Sequence, residues 1–103
     1  RGPAKNITIL ATGFADPSLK NASPHHEPLL FTVGYGKGRV VQNVFGHVGK
    51  TQDSTAAPVQ SVGFIVTLQR SVEWAATGHV TQPVPADFPT AYKTSIRSAP
   101  GTK

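Results

Sequence analysis

The chain has 103 residues, ten lysines and arginines against five acidic residues, a formal net charge of +5, and neither cysteine nor methionine. This length suits one domain with a modest core. The absence of cysteine excludes disulfides, zinc–thiolate centres and iron–sulfur clusters. No apolar run approaches the roughly 20 residues that span a bilayer, so we expect no membrane partner. The basic residues are scattered, which favours a solvated surface, and we expect no nucleic-acid partner.

The first half of the chain predicts three strands. Residues 7–11 form a short β-rich apolar run, and 13–28 have the composition of a loop. Residues 29–33 and 39–45 are rich in β-branched and aromatic residues. The glycine-rich segment between them supplies the positive φ angles that a tight reversal needs, so we predict an antiparallel β-hairpin.

The second half predicts one helix, from about Pro58 to Thr77. Pro58 suits a first helical turn, and Gly78 suits the position just after the helix. The spacing of the apolar residues predicts a single buried stripe, which consists of Phe64, Ile65, Leu68, Val72, Ala75 and Ala76.

Beyond the helix, three prolines at 83, 85 and 89 exclude a helix or a central strand. We therefore predict an extended, Pro-rich and basic tail over 81–103. Its apolar residues predict that it lies over the body through Val84, Phe88 and Tyr92.

Several short motifs occur in a specific order along the chain. They are His-Glu-Pro-Leu-Leu at 26–30, Tyr-Gly-Lys-Gly-Arg-Val at 35–40, Gly-His at 46–47, Leu-Gln-Arg at 68–70 and Glu-Trp-Ala-Ala-Thr-Gly at 73–78. In this order and spacing they resemble the trehalose-utilisation (ThuA-like) family. The resemblance covers the later half of the family domain, so we expect a partial ThuA-like domain over 1–80, followed by the tail.

The resemblance implies a flavodoxin-like fold related to class I glutamine amidotransferases, hence an α/β class, or α+β for this part in isolation. It also implies a role in sugar metabolism, where the family is associated with oxidation of disaccharides to 3-keto derivatives. With no cysteine, the chain lacks the amidotransferase nucleophile. A half-domain leaves a sheet edge and a helix face uncovered, so we expect a homo-oligomer or a partner chain that completes the sheet.

Histidines and one glutamate form the candidate catalytic site. His26 and Glu27 precede the first hairpin strand and His47 follows the second, so the antiparallel hairpin brings them to the same end. His47 is then a general acid/base with Glu27 or His26 as its partner, or all three bind a divalent metal. Alternatively, these side chains only cap strands or hydrogen-bond to the backbone.

Three further residues are candidates for substrate binding. Lys37 and Arg39 are turn charges that could reach a sugar hydroxyl or carboxylate, and Trp74 could stack on a sugar ring or pack in the helix interface. No dinucleotide fingerprint occurs, so we expect any nicotinamide cofactor on a partner enzyme.

The leading hypothesis is a protein that acts on trehalose, a related disaccharide or a 3-keto sugar, with its site in loops flanking the hairpin. One alternative is a metal-assisted hydrolase of esters or lactones that uses the same histidines. The other is a non-enzymatic half-domain that assembles with a partner chain.

Overall fold

The computed structural model describes residues 4–50 and 56–98, and the chain divides into two compact units, Arg1–Val44 and Phe45–Lys103. The first unit holds strands β1 (Ile7–Phe14), β2 (His26–Tyr35) and β3 (Gly38–Asn43), and the second holds helices α1 (Ala57–Gln60) and α2 (Val62–Thr77). The described residues therefore form a mixed α and β structure, as predicted. Neither helix in this part of the chain is long and apolar enough to cross a membrane.

The three strands form one antiparallel sheet in the order β1-β2-β3. The predicted hairpin between β2 and β3 is confirmed. Tyr35 pairs with Gly38 across a turn made by Gly36 and Lys37, and Gly36 has a φ of 58°. Because both described strand pairs are antiparallel, the sheet does not confirm the parallel pairing of a flavodoxin-like domain.

The loop predicted over 13–28 was wrong at both ends. β1 continues to Phe14 and β2 already begins at His26, because the two strands pair there, with Phe14 opposite His26 and Gly13 opposite Glu27. Cross-strand hydrogen bonding thus extends both strands beyond their apolar runs. His26 and Glu27 consequently lie in a strand and not in a loop.

Pro28 lies inside β2 although proline lacks the N–H that a central strand needs. It pairs with Thr12 of β1, whereas β3 ends at Asn43, opposite Leu30. At Pro28, β2 therefore has a neighbour on one side only, and this is where a sheet accepts proline.

The single helix predicted over 58–77 is two helices. Ser61 interrupts it with an extended backbone (ψ 126°) and forms an isolated antiparallel bridge with Ile96. The Val62 N–H donates to the carbonyl of Ser95 at 3.0 Å. The break therefore comes from pairing with a segment far along the chain, which helical periodicity does not reveal.

Both predicted helix ends are confirmed. Pro58 occupies the first turn of α1. Gly78 ends α2 with a φ of 81°, and its N–H donates to the carbonyl of Trp74 at 2.8 Å. A left-handed residue at this position satisfies one of the last helical carbonyls, and glycine adopts it without steric cost.

The buried side of α2 differs from the predicted stripe. Val62 and Val66 are buried, whereas Leu68 is exposed and Val72 is 62 % exposed. Both buried valines lie in the N-terminal half of α2, where the ring of Pro89 lies against the helix. The buried face therefore centres on Val62 and Val66, and the prediction for Leu68, Val72 and Ala76 was wrong.

The tail contains no helix or strand over 79–98, as its prolines predict. The contacts predicted through Val84 and Tyr92 were wrong, because Val84 is exposed and Tyr92 is 99 % exposed. Hydrogen bonds hold the segment instead. The Thr81 N–H donates to the Glu73 carboxylate at 2.8 Å. The domain boundary expected after residue 80 stays a prediction.

Candidate functional site

His26 lies at the start of β2 and is held from two sides. Its ring lies 5.2 Å from that of Phe14 between centroids, tilted by 53°. The Thr12 hydroxyl and His26 Nδ1 form a 3.4 Å hydrogen bond, whose donor depends on the histidine tautomer. Both partners belong to β1. Phe14 pairs with His26, and Thr12, two residues before Phe14, faces the same side of the sheet. The imidazole is therefore positioned at one corner of the sheet while it stays exposed to solvent.

Glu27 belongs to a different set of contacts. Its Oε1 accepts a 2.5 Å hydrogen bond from the Ser23 hydroxyl, and Ser23 Oγ accepts one from the His25 N–H at 3.3 Å. Neighbouring strand residues point to opposite faces, which explains why Glu27 and His26 have no contact partner in common here. The turn before β2 thus positions the exposed carboxylate of Glu27, which follows His26 in sequence but lies on the opposite face of the strand.

His47 lies in the second unit, in a segment without regular structure, and its side chain is exposed. Its expected proximity to His26 and Glu27 therefore stays a prediction. Within the described ranges, no three His, Asp or Glu side chains are placed to hold a metal ion. The metal set of His26, Glu27 and His47, and with it the hydrolase hypothesis, rests on sequence alone.

Lys37 and Arg39, two of the three predicted substrate-binding residues, do not lie beside His26. Lys37 is exposed in the hairpin turn, and Arg39 is exposed on β3 opposite Gly34. β2 has ten residues, so at about 3.3 Å per residue roughly 30 Å separates His26 from the turn. A disaccharide is much shorter than that. Trp74 is partly buried in α2, in the second unit.

Sequence reasoning missed three residues that position the candidate side chains, namely Thr12, Phe14 and Ser23. Thr12 and Phe14 lie two residues apart, the spacing of one strand face, but both lie beyond the strand predicted over 7–11, and Phe14 lies in the predicted loop. Ser23 precedes Glu27 by four residues within a turn-rich segment. That spacing was the available signal for a side-chain hydrogen bond.

Comparison with known proteins gives one informative result. No family model and no curated protein matches the chain. A crystal structure from Parabacteroides merdae, provisionally described as ThuA-like, matches with 45 % sequence identity and a TM-score of 0.78 over 89 % of this chain. The chain resembles a ThuA-like protein. It spans only 33 % of that chain.

This similarity supports the family resemblance that the sequence motifs indicated. A TM-score of 0.78 together with 45 % identity also means that the two chains share backbone arrangement as well as sequence in the matched part. The match therefore supports the resemblance to a ThuA-like protein, whereas the sugar role and the site residues stay predictions.

Proposed function

We propose that this chain forms part of a ThuA-like protein of carbohydrate metabolism, which acts on trehalose, a related disaccharide or its 3-keto derivative. The observation that carries the proposal is the 45 % identity to the ThuA-like structure over 89 % of the chain. The ordered motifs from residue 26 to residue 78 support it. Because the chain spans one third of that structure, the activity of the whole protein is part of the proposal.

In this proposal the sugar binds at the His26 corner of the sheet. Phe14 is 51 % exposed and offers an apolar ring surface of the kind on which a sugar ring stacks. His26 exchanges a proton with a sugar hydroxyl, because an imidazole ring carries both a nitrogen that donates a hydrogen bond and one that accepts. Glu27, on the opposite face of β2, and His47, in the second unit, stay candidates from the sequence alone.

Sugar binding to two histidine variants tests this assignment. The wild-type chain should bind trehalose or its 3-keto derivative in isothermal titration calorimetry, and His26→Ala should weaken binding at least 10-fold. His25→Ala is the matched control, because His25 is also exposed but donates to Ser23 Oγ through its backbone N–H. No binding by the wild-type chain, or an equal loss in both variants, would contradict the proposal.

A second candidate function is assembly with a partner polypeptide. The observation that favours it is that the buried residues among the described ranges, Ala56, Val62 and Val66, all belong to the second unit. The first unit contributes a sheet without a buried residue. A sheet of this size needs a covered apolar face to be stable.

A further inference from the structure

The break between α1 and α2 depends on one backbone angle. Ser61 has a φ of −59°, which is already the value of a helical residue, and only its ψ of 126° is extended. Helical hydrogen bonds on both sides of it are present. The Ser61 N–H donates to the carbonyl of Ala57, and the Ile65 N–H donates to that of Ser61, each at 3.0 Å. Rotation of this ψ to about −40° would therefore join the two helices.

The tail supplies partners for two backbone groups that the break affects. In a continuous helix the Val62 N–H would bind the carbonyl four residues earlier, and the Gln60 carbonyl would accept from the N–H four residues later. Here the Val62 N–H donates to the carbonyl of Ser95 at 3.0 Å, and the Gln60 carbonyl accepts from the Arg97 N–H at 2.9 Å. The broken and the continuous form therefore satisfy the same two groups with different partners.

The local sequence of this region favours the continuous form. Pro58 lies in the first turn, where proline is tolerated, and no proline occurs over 59–77. Ser61 has moderate helix propensity, and its side chain makes no capping hydrogen bond to α2. The break therefore depends on the pairing with residues 95–97.

Polar contacts hold the tail in place. The Arg97 guanidinium and the Asp87 carboxylate form an ion pair at 2.6 and 2.7 Å. Near the end of α2 the Glu73 carboxylate accepts hydrogen bonds from the N–H groups of Thr81 and Gln82. None of the described residues from 79 to 98 is buried. A segment that is held by exposed hydrogen bonds without buried residues can open locally while the rest of the unit stays folded.

We propose that the region 57–77 is a two-state helical element whose form is set by the tail. With residues 95–97 docked, the region is broken at Ser61. With these residues released, Ser61 turns to the helical conformation, and α1 and α2 become one helix. Because the two forms exchange backbone partners without losing them, a modest change in the contacts of the tail shifts the balance between them.

Arg97→Pro in the full chain tests this switch, because proline removes both the N–H and the guanidinium that hold the tail. The readout is the pair of Cα and Cβ carbon chemical shifts of Ser61 by NMR, which distinguish a helical from an extended residue. They should be extended in the wild type and helical in the variant. Val84→Pro is the matched control, since it adds a proline to the same tail at an exposed position between two prolines, and it should leave Ser61 extended.

Asp87→Asn keeps the test valid if Arg97→Pro does not fold. It removes the charge from the ion pair and leaves every backbone donor in place, so the Ser61 shifts should move in the same direction by a smaller amount. Slow exchange of the Val66 N–H would show that α2 is folded. Extended Ser61 shifts in the folded variants would overturn the proposal, because the break would then be intrinsic to the region. Random-coil Ser61 shifts beside a folded α2 would also overturn it, because the two helices would then separate when the tail is released.

Discussion

Gly46 is a residue whose replacement the structure predicts to be costly. It has a φ of 83°, and a β-carbon at this position would overlap the ring of Phe64. The left-handed backbone alone costs an alanine about 1–2 kcal/mol, and the overlap adds to it. Gly46→Ala should therefore lower the free energy of unfolding by about 2 kcal/mol or more, measured by urea titration with Trp74 fluorescence.

Gly63 provides the control for this substitution within the same unit. Its backbone is helical, and a β-carbon there would lie 3.2 Å from Pro89 Cγ, a tight contact that a small shift relieves. Alanine also gains about 1 kcal/mol of helix propensity over glycine. Gly63→Ala should change the unfolding free energy by less than about 1 kcal/mol. Equal destabilisation by both variants would contradict the role assigned to Phe64.

The glycines also show what a sequence reveals at this scale. Gly36 and Gly78 were predictable, because a tight turn and a helix end are local events with known residue preferences. Gly46 was not, since the reason for it is the ring of Phe64, which lies far along the chain. The candidate site shows the same difference. His26 is a candidate from its residue type and its place before the hairpin, whereas only strand pairing places Phe14 beside it.

At the scale of elements, α2 carries two valines in contrasting environments. Val62 is fully buried and Val72 is 62 % exposed, so the same substitution to alanine should have different effects. Val62→Ala should lower the unfolding free energy by about 1.5–3 kcal/mol, because it removes buried apolar surface and leaves a cavity. Val72→Ala should change it by less than about 0.5 kcal/mol.

Thermal unfolding followed by circular dichroism at 222 nm would compare the two variants, since both residues report on the same helix. Similar losses would show that Val72 is covered in solution and would contradict the burial seen here. Periodicity correctly predicted where this helical region begins and ends, but not which of its residues are buried. The bridge between Ser61 and Ile96, which interrupts the region, joins residues 35 positions apart and leaves no local sequence signal.

At the scale of the whole molecule, hydrogen bonds lower the pKa of three of the four acidic side chains within the described ranges. The Ser18 N–H lowers the pKa of Asp16, the hydroxyl and N–H of Thr81 lower that of Glu73, and the Arg97 guanidinium lowers that of Asp87. Asp87 and Arg97 form a bidentate ion pair with oxygen–nitrogen distances of 2.6 and 2.7 Å. These contacts favour the charged carboxylate in the folded chain.

The chain should consequently lose stability in acid. A carboxyl whose pKa is lower in the folded state contributes stability above its ordinary pKa, here 3.8 for aspartate and 4.5 for glutamate, and loses it as the pH falls through the folded value. Protonation also raises a net charge that is already +5, which adds repulsion. The midpoint temperature of thermal unfolding should therefore be lower at pH 3 than at pH 7.

Glu73→Gln isolates the contribution of one group, because glutamine keeps the length of the side chain but cannot titrate. Its midpoint should be lower than that of the wild type at pH 7 and should fall less between pH 7 and pH 3. The Thr81 N–H, which donates to Glu73 in the folded chain, should exchange faster with solvent in this variant at neutral pH. Protonation of Glu73 weakens its hydrogen bonds to the tail, because a neutral carboxyl is a weaker acceptor than a carboxylate. An identical pH dependence in both proteins would therefore show that the Glu73 contact does not hold the tail against α2 in solution.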